Sequence, residues 1–373
     1  MKYFLIAGEA SGDLHASELI RELKKQDPKA EFAFLGGDLM AKASGQQPVI
    51  HYRDMAFMGF TDVIRHAGKI SRNFKAARQA LDDFKPDRLI LIDYPSFNLK
   101  MAEYAKKKGI KVVYYISPKV WAWKEWRVKT IKKVVDQMLC IFPFEVKFYA
   151  KHGYKVEYVG NASVEEVDRK IAEAADLEHF LAKNNLQNRP IVALLPGSRL
   201  SEIRVNLPIM EDVMRRFPQY RGVVAGAPGI DPEVYSHYTT LPVVYDQTYD
   251  LLRHARAALV TSGTATLETA LAGVPQVAMF RHNGSKLMHK LKDWVLSVEF
   301  VTLPNLIVGR EIIPELLLEQ CTADAVAEHL GRLLPERPPR QQMLSGYAQM
   351  RQSLGTLPAA RAATRAILRD AQS

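Results

Sequence analysis

Short, continuous apolar runs alternate with amphipathic segments twice over in 373 residues, which predicts an α/β protein of two Rossmann-like parallel-sheet domains. Three observations carry this. The runs are apolar throughout rather than alternating, so both faces of each sheet must be covered. The pattern pauses near residue 160 and then restarts. The chain is too long for one small core and suits two domains of ordinary size.

The first array opens with the run Tyr3–Ala7, followed by a helical pattern of Leu14, Leu19, Ile20 and Leu23. Phe32–Leu35 comes next, then a helix carrying Val63, Ile64, Ile70, Phe74 and Leu81. Leu89–Ile92, Val112–Ile116 and Met138–Phe142 continue the series, each followed by a helical pattern. A polar stretch then leads from Val159-Gly160-Asn161 to Pro190. The second array is Ile191–Leu195, Gly222–Ala225, Val243–Tyr245, Ala257–Val260 and Val277–Phe280. The domains are therefore expected at 1–160 and 161–340, with a helical segment at about 341–373 packing on a finished domain. Two such sheets leave a cleft, and ligands of open α/β sheets sit beyond the carboxyl ends of the strands.

Composition excludes several classes. Cys140 and Cys321 stand alone in apolar surroundings, which suits buried inert thiols rather than a zinc site or a disulfide framework. The apolar run after Met1-Lys2 ends within about five residues, short of a signal peptide, and no stretch approaches the ~18 apolar residues of a membrane span. The net charge of +10 is uneven: residues 1–160 hold 28 Lys and Arg against 18 Asp and Glu, and 161–373 hold 23 of each. An anionic partner is expected to meet the first half.

The strand-end loops carry the chemistry. Gly8-Glu9-Ala10-Ser11-Gly12-Asp13 follows the first run; its glycines permit a tight turn capped by Asp13, and helix-start N–H groups there suit an anion. Glu9 projects from a strand end. Asp93, in Ile92-Asp93-Tyr94-Pro95-Ser96-Phe97-Asn98, either caps the next helix or accepts a proton from a substrate hydroxyl. Ser117–Arg127 holds three tryptophans and three cations, and Arg65, Lys69, Arg72, Lys75 and Arg78 recur at helical spacing beside Ile64, Ile70 and Phe74. That pattern suits either a solvated helix face or a membrane face. In the second half, Leu195-Pro196-Gly197-Ser198-Arg199 suits a phosphate. So does Thr261-Ser262-Gly263-Thr264-Ala265-Thr266-Leu267-Glu268, where Glu268 falls one helical turn in and can hold ribose hydroxyls. No P-loop, H-E-x-x-H, nucleophile elbow or carboxylate cluster for a divalent metal occurs.

Together these segments resemble the lipid-A-disaccharide synthase family, inverting glycosyltransferases of Gram-negative bacteria. The similar stretches are Ala7–Asp13, Met58-Gly59, Ile92–Asn98, Tyr115–Trp123, Phe142–Glu145, Val159–Asn161, Leu195–Arg199, Thr261–Glu268 and Leu303–Glu311, in the family's order. Gly36-Gly37-Asp38, Ser96 and Phe280-Arg281 depart from the usual pattern. The resemblance implies a GT-B fold, whose C-terminal helix, at about 341–373 here, returns to the N-terminal domain. It also implies transfer from UDP-2,3-diacylglucosamine to the 6-hydroxyl of 2,3-diacylglucosamine 1-phosphate (lipid X), giving a β-1,6 disaccharide and UDP. It implies that Asp93 and Glu9 are the catalytic acidic groups of the acceptor side, and Ser11 in the first loop is expected to bind substrate or nucleotide. Arg199, Ser262, Gly263, Thr264, Glu268 and Asn305 would lie on the nucleotide side.

No metal, cofactor or nucleic acid is expected. A cytoplasmic enzyme, peripheral at the inner face of the cytoplasmic membrane, is expected to meet an anionic surface, and a homodimer is compatible with the sequence. The rival readings are another UDP-sugar enzyme of this fold, such as a peptidoglycan N-acetylglucosaminyltransferase or an epimerase, and a binding module without turnover.

Overall fold

A computed structural model describes residues 1–55, 67–123, 125–281, 299–334 and 338–372. Met58-Gly59, Val63, Ile64, Arg65, Lys124 and the side chain of Trp123 lie outside the described residues. The chain forms two compact units, residues 1–162 with 356–373, and residues 163–355.

The first unit is a seven-stranded parallel sheet: β1 Lys2–Ala7, β2 Glu31–Gly36, β3 Ile50–His51, β4 Arg88–Ile92, β5 Lys111–Tyr115, β6 Gln137–Cys140 and β7 Glu157–Tyr158. Its order is β3-β2-β1-β4-β5-β6-β7, so the winding reverses between β1 and β4. Their register sets Ala7 beside Ile92, which brings the loops after both strands together. Both faces are buried. Phe4, Ile6, Leu89 and Leu91 pack on one face, and Leu5, Ala7, Ile90 and Ile92 on the other. That is why these strands read as continuous apolar runs.

The second unit is a six-stranded parallel sheet: β8 Ile191–Leu195, β9 Arg221–Gly226, β10 Val243–Tyr245, β11 Ala255–Thr261, β12 Gln276–Phe280 and β13 Glu315–Leu317. The order β10-β9-β8-β11-β12-β13 reverses between β8 and β11, and Leu195 pairs with Val260 at the carboxyl ends.

The trailing segment is two helices rather than one, Pro338–Leu354 and Ala359–Gln372. Gly355, with φ 64°, and Pro358 break it. Only the second helix belongs to the first unit, where Ala363, Ala366 and Ile367 join the core face that includes Leu5 and Ile92. Gly160, at φ 91°, belongs to this return: a β-carbon there would lie 2.3 Å from the Leu357 carbonyl oxygen. The glycine is thus required by close backbone approach.

Candidate active site

At the reversal in the first unit, Glu9 and Asp93 lie just beyond two neighbouring strand ends. Glu9 is the exposed N-cap residue of the helix Ala10–Gln26, and Ser11 is exposed in its first turn. Asp13 does not cap that turn. Its buried carboxylate accepts from the amides of Gly37 (2.8 Å), Leu39 (3.1 Å) and Met40 (3.2 Å), holding the start of the helix Asp38–Ser44. The Gly36-Gly37-Asp38 segment is therefore tied down from the side, by a carboxylate 24 residues before Gly37 in the chain.

Asp93 is not the cap of the helix Pro95–Lys107 either; Tyr94 stands at that position, with no side-chain cap bond. Both residues are left-handed, at φ 43° and 47°. For a residue with a β-carbon this costs roughly 1–2 kcal/mol. The turn is held by its own bonds. The Asp93 carbonyl oxygen accepts from Asn98 Nδ2 at 2.7 Å and the Tyr114 hydroxyl at 2.5 Å, and the Asn98 amide donates to the Tyr94 carbonyl at 3.1 Å. One strand over, Ile116 takes φ 66°, a β-branched outlier at the end of β5. Strain thus collects at the carboxyl ends of β4 and β5, as it does at functional sites.

The Asp93 side chain is half-buried, and burial pushes its carboxyl up to about 6. The Glu9 carboxylate adds to the rise, while Lys119, exposed after β5, and a Tyr94 backbone bond oppose it. Such a group is ionised at neutral pH yet more basic than an ordinary aspartate, which suits a general base.

Beyond β5 and β6 lies a group that sequence reasoning passed over. Glu145 is buried in the first turn of the helix Pro143–Lys151. Its carboxylate accepts from Trp121 Nε1 (3.3 Å), from the Phe142 amide (3.1 Å) and from Ser117. Burial outweighs those bonds and lifts it to about 8. Of the clustered tryptophans, Trp121 is in the core and Trp126 is 66% exposed, with the Arg127 guanidinium 5.6 Å from its ring.

In the second unit, the loops after β8 and β11 meet at the reversal. Arg199 is an exposed N-cap, 3.5 Å from Glu202. Glu202 already accepts the amides of Ser198 (3.0 Å) and Arg199 (3.3 Å), so the side chain of Arg199, rather than those amides, is what this loop offers an anion. Ser262 donates its amide to Met279 O in the sheet at 2.8 Å. Gly263 and Thr264 are exposed at the start of the helix Thr264–Leu271, whose first amides have no partner within the helix. A β-carbon at Gly263 would meet nothing within 4 Å, so the protein's own packing leaves room there. Glu268 is half-buried and hydrogen-bonded to Tyr249. Its carboxyl is raised by burial first and by Glu166 second, and lowered by Lys170, whose ammonium lies 4.7 Å from the Tyr249 ring centroid and 2.9 Å from Glu166.

Asn305 is fully buried and fully spent. Its Nδ2 donates to Ile313 O (2.9 Å) and Glu315 (2.8 Å), and its Oδ1 accepts from the amides of Ile312 (2.7 Å) and Ile313 (3.0 Å). It locks the Leu303–Glu311 segment from inside. Among the described residues no three His, Cys, Asp or Glu side chains gather as metal ligands.

Two Rossmann-like units with acidic groups at one strand-order reversal and anion-suited loops at the other define a protein of the GT-B class. Solved structures share the fold: a UDP-GlcNAc 2-epimerase from Neisseria meningitidis (TM-score 0.68, 13% identity, 99% of this chain and 100% of that one) and the calicheamicin glycosyltransferase (0.57, 16%, 99% and 97%). The family model for lipid-A-disaccharide synthetase matches residues 3–357, and the chain belongs to that family, whose members are hexosyltransferases. Lipid-A-disaccharide synthases of Myxococcus xanthus and Geobacter sulfurreducens are 39% and 36% identical to it. They align over 98% and 95% of this chain and 97% and 93% of their own. The epimerase and peptidoglycan-transferase readings are not favoured.

Proposed function

We propose that the chain transfers the sugar of UDP-2,3-diacylglucosamine to the 6-hydroxyl of lipid X with inversion, giving a β-1,6-linked disaccharide 1-phosphate and UDP. The observation that carries this reading is Asp93, a strained, half-buried carboxylate raised to about 6 at the strand-order reversal of the first unit. The acceptor oxygen attacks the anomeric carbon and its proton passes to Asp93. The bond from that carbon to the β-phosphate oxygen breaks, and its electron pair leaves on UDP. Glu9 keeps Asp93 basic and is placed to orient the acceptor. Arg199 and the first amides of the helix Thr264–Leu271 offset charge developing on the diphosphate, and Glu268 holds the ribose. Asn305 contributes by fixing its segment.

The acceptor is a lipid, and the first unit suits an anionic membrane surface at the inner face of the cytoplasmic membrane. It carries the whole basic excess of the chain, exposed Arg72 and Lys75 on the helix Ala67–Phe84, and the exposed Trp126. Among the described residues no helix is long and apolar enough to cross a membrane.

The test is direct. Purified protein is incubated with both substrates, without added metal, and disaccharide and UDP are followed. Asp93→Asn is expected to lower turnover by about 10²–10⁴-fold with UDP affinity unchanged. Near wild-type turnover in that variant removes the assignment.

A further inference from the structure

Tyr94 shares the strained turn with Asp93, and its side chain reaches two other segments and its own helix. Its ring covers Gly8: a β-carbon there would lie 2.3 Å from two ring carbons. Gly8 precedes Glu9, so the ring braces the loop that carries the second acidic group. The hydroxyl donates to the Met55 carbonyl oxygen at 2.8 Å, in the turn after β3. The ring also lies 5.9 Å from Phe97, which stacks at 4.2 Å on Phe74 of the helix Ala67–Phe84.

Among the described residues the other bonds of the turn run to its own helix and to β5, through Asn98, Tyr114 and Tyr115. Tyr94 thus ties it to the Gly8 loop after β1 and to the Met55 turn, while the contact with the basic helix runs through Phe97. We infer that Tyr94 is a positioning residue for Asp93, clamping the left-handed pair between the Glu9 loop and the Met55 turn so that the carboxylate keeps one orientation and one degree of burial. This rests on the reading of Asp93 as the base.

A left-handed Tyr is not the default at such a position, since the conformation favours Gly or Asn. The ring and hydroxyl contacts supply a reason for a bulky aromatic here. The groups that set the basicity of Asp93 are Glu9 from the β1 loop, Lys119 from the loop after β5, and Tyr114 on β5. With the clamp loosened, water reaches the carboxylate, and the largest cause of its raised pKa, burial, weakens.

The variants are Tyr94→Phe, which removes only the hydroxyl bond, and Tyr94→Leu, which removes the ring. Turnover, acceptor KM, UDP affinity, melting temperature and the pH profile of kcat/KM are measured, with Asp93→Asn alongside. Tyr94→Phe is expected to lower kcat about 3- to 10-fold, the factor that one neutral hydrogen bond is worth. Acceptor KM and UDP affinity should stay within about twofold, and the acid limb should move to lower pH; Tyr94→Leu should extend both effects. Wild-type kcat and an unmoved limb in Tyr94→Phe, with Asp93→Asn inactive, overturn the inference. So does a fall in kcat with an unmoved limb and a lower melting temperature, because the role is then structural. An active Asp93→Asn removes the base itself, and this inference with it.

Discussion

Replacing Glu145 by Gln should remove a fall in stability with rising pH that this group imposes on the first unit. The carboxyl is lifted from an ordinary 4.5 to about 8, burial being the largest cause. Below pH 4.5 the folded and unfolded chains are both protonated at this group, and it contributes no slope. Between 4.5 and 8 the unfolded chain ionises while the folded one does not, so stability falls as pH rises. At 1.36 kcal/mol per pH unit the loss reaches roughly 3 kcal/mol by pH 7 and saturates near 5 above pH 8. The amide of Gln cannot ionise, but it gives up one of the two acceptor oxygens that serve Trp121 and Phe142, at a cost of about 1 kcal/mol.

Wild type is therefore the more stable at pH 4.5, the curves cross between about pH 5 and 6, and Glu145→Gln is the more stable at pH 8.5 by roughly 2–4 kcal/mol. Urea midpoints from tryptophan fluorescence across pH 4.5–8.5 read the difference, and Trp121 reports on the site itself. The helix start at Pro143 favours an anion, yet burial overrides it. Parallel curves for the two proteins across that range would mean that burial does not hold the Glu145 carboxyl protonated.

Arg199→Ala should weaken UDP about 10- to 100-fold, as expected for a lost charge-assisted bond, and Glu268→Ala about 10-fold, by calorimetric titration; unchanged affinity in both variants moves the nucleotide elsewhere. Binding to anionic vesicles should fall as salt rises, and Arg72→Glu with Lys75→Glu should reduce it at low salt without lowering the melting temperature. Lys69 is left out of that pair because it already meets Asp54 at 3.0 Å. Equal sedimentation of both proteins with vesicles leaves this helix as a solvated face.

Nine of the ten legible strands are largely buried on both sides and therefore read as apolar runs. The tenth, the three-residue edge strand β10 Val243–Tyr245, is only partly buried but is apolar in sequence. The three that escaped, Ile50–His51, Glu157–Tyr158 and Glu315–Leu317, are the other edge strands, β3, β7 and β13, two or three residues long, and their His and Glu side chains leave no apolar run to read. Asp93 and Glu9 were legible for a local reason, a carboxylate just past an apolar run. Which strand ends are neighbours was not legible: it follows from strand order, and the pairing of Ala7 with Ile92 spans 85 residues of chain.

The same limit applies to three polar residues whose bonds the sequence does not show. Asp13, Asn305 and Glu145 all sit in motifs that read as functional, and spacing alone says nothing of what each has already bonded. Asp13 is spent on three amides of another helix, and Asn305 on its own segment. Glu145 is spent on Trp121, Ser117 and its own helix start. Asp93 differs because most of its local bonds fall on its backbone: Asn98 and Tyr114 both donate to its carbonyl oxygen, while its carboxylate takes the Tyr94 backbone amide. The strain of a left-handed pair is thus offset by main-chain bonds, and under the proposed function the carboxylate's remaining capacity serves the acceptor. That distinction, between a polar group that holds the fold and one that the fold holds ready, is long-range in origin. It separates Asp93 from Asp13 and Glu145.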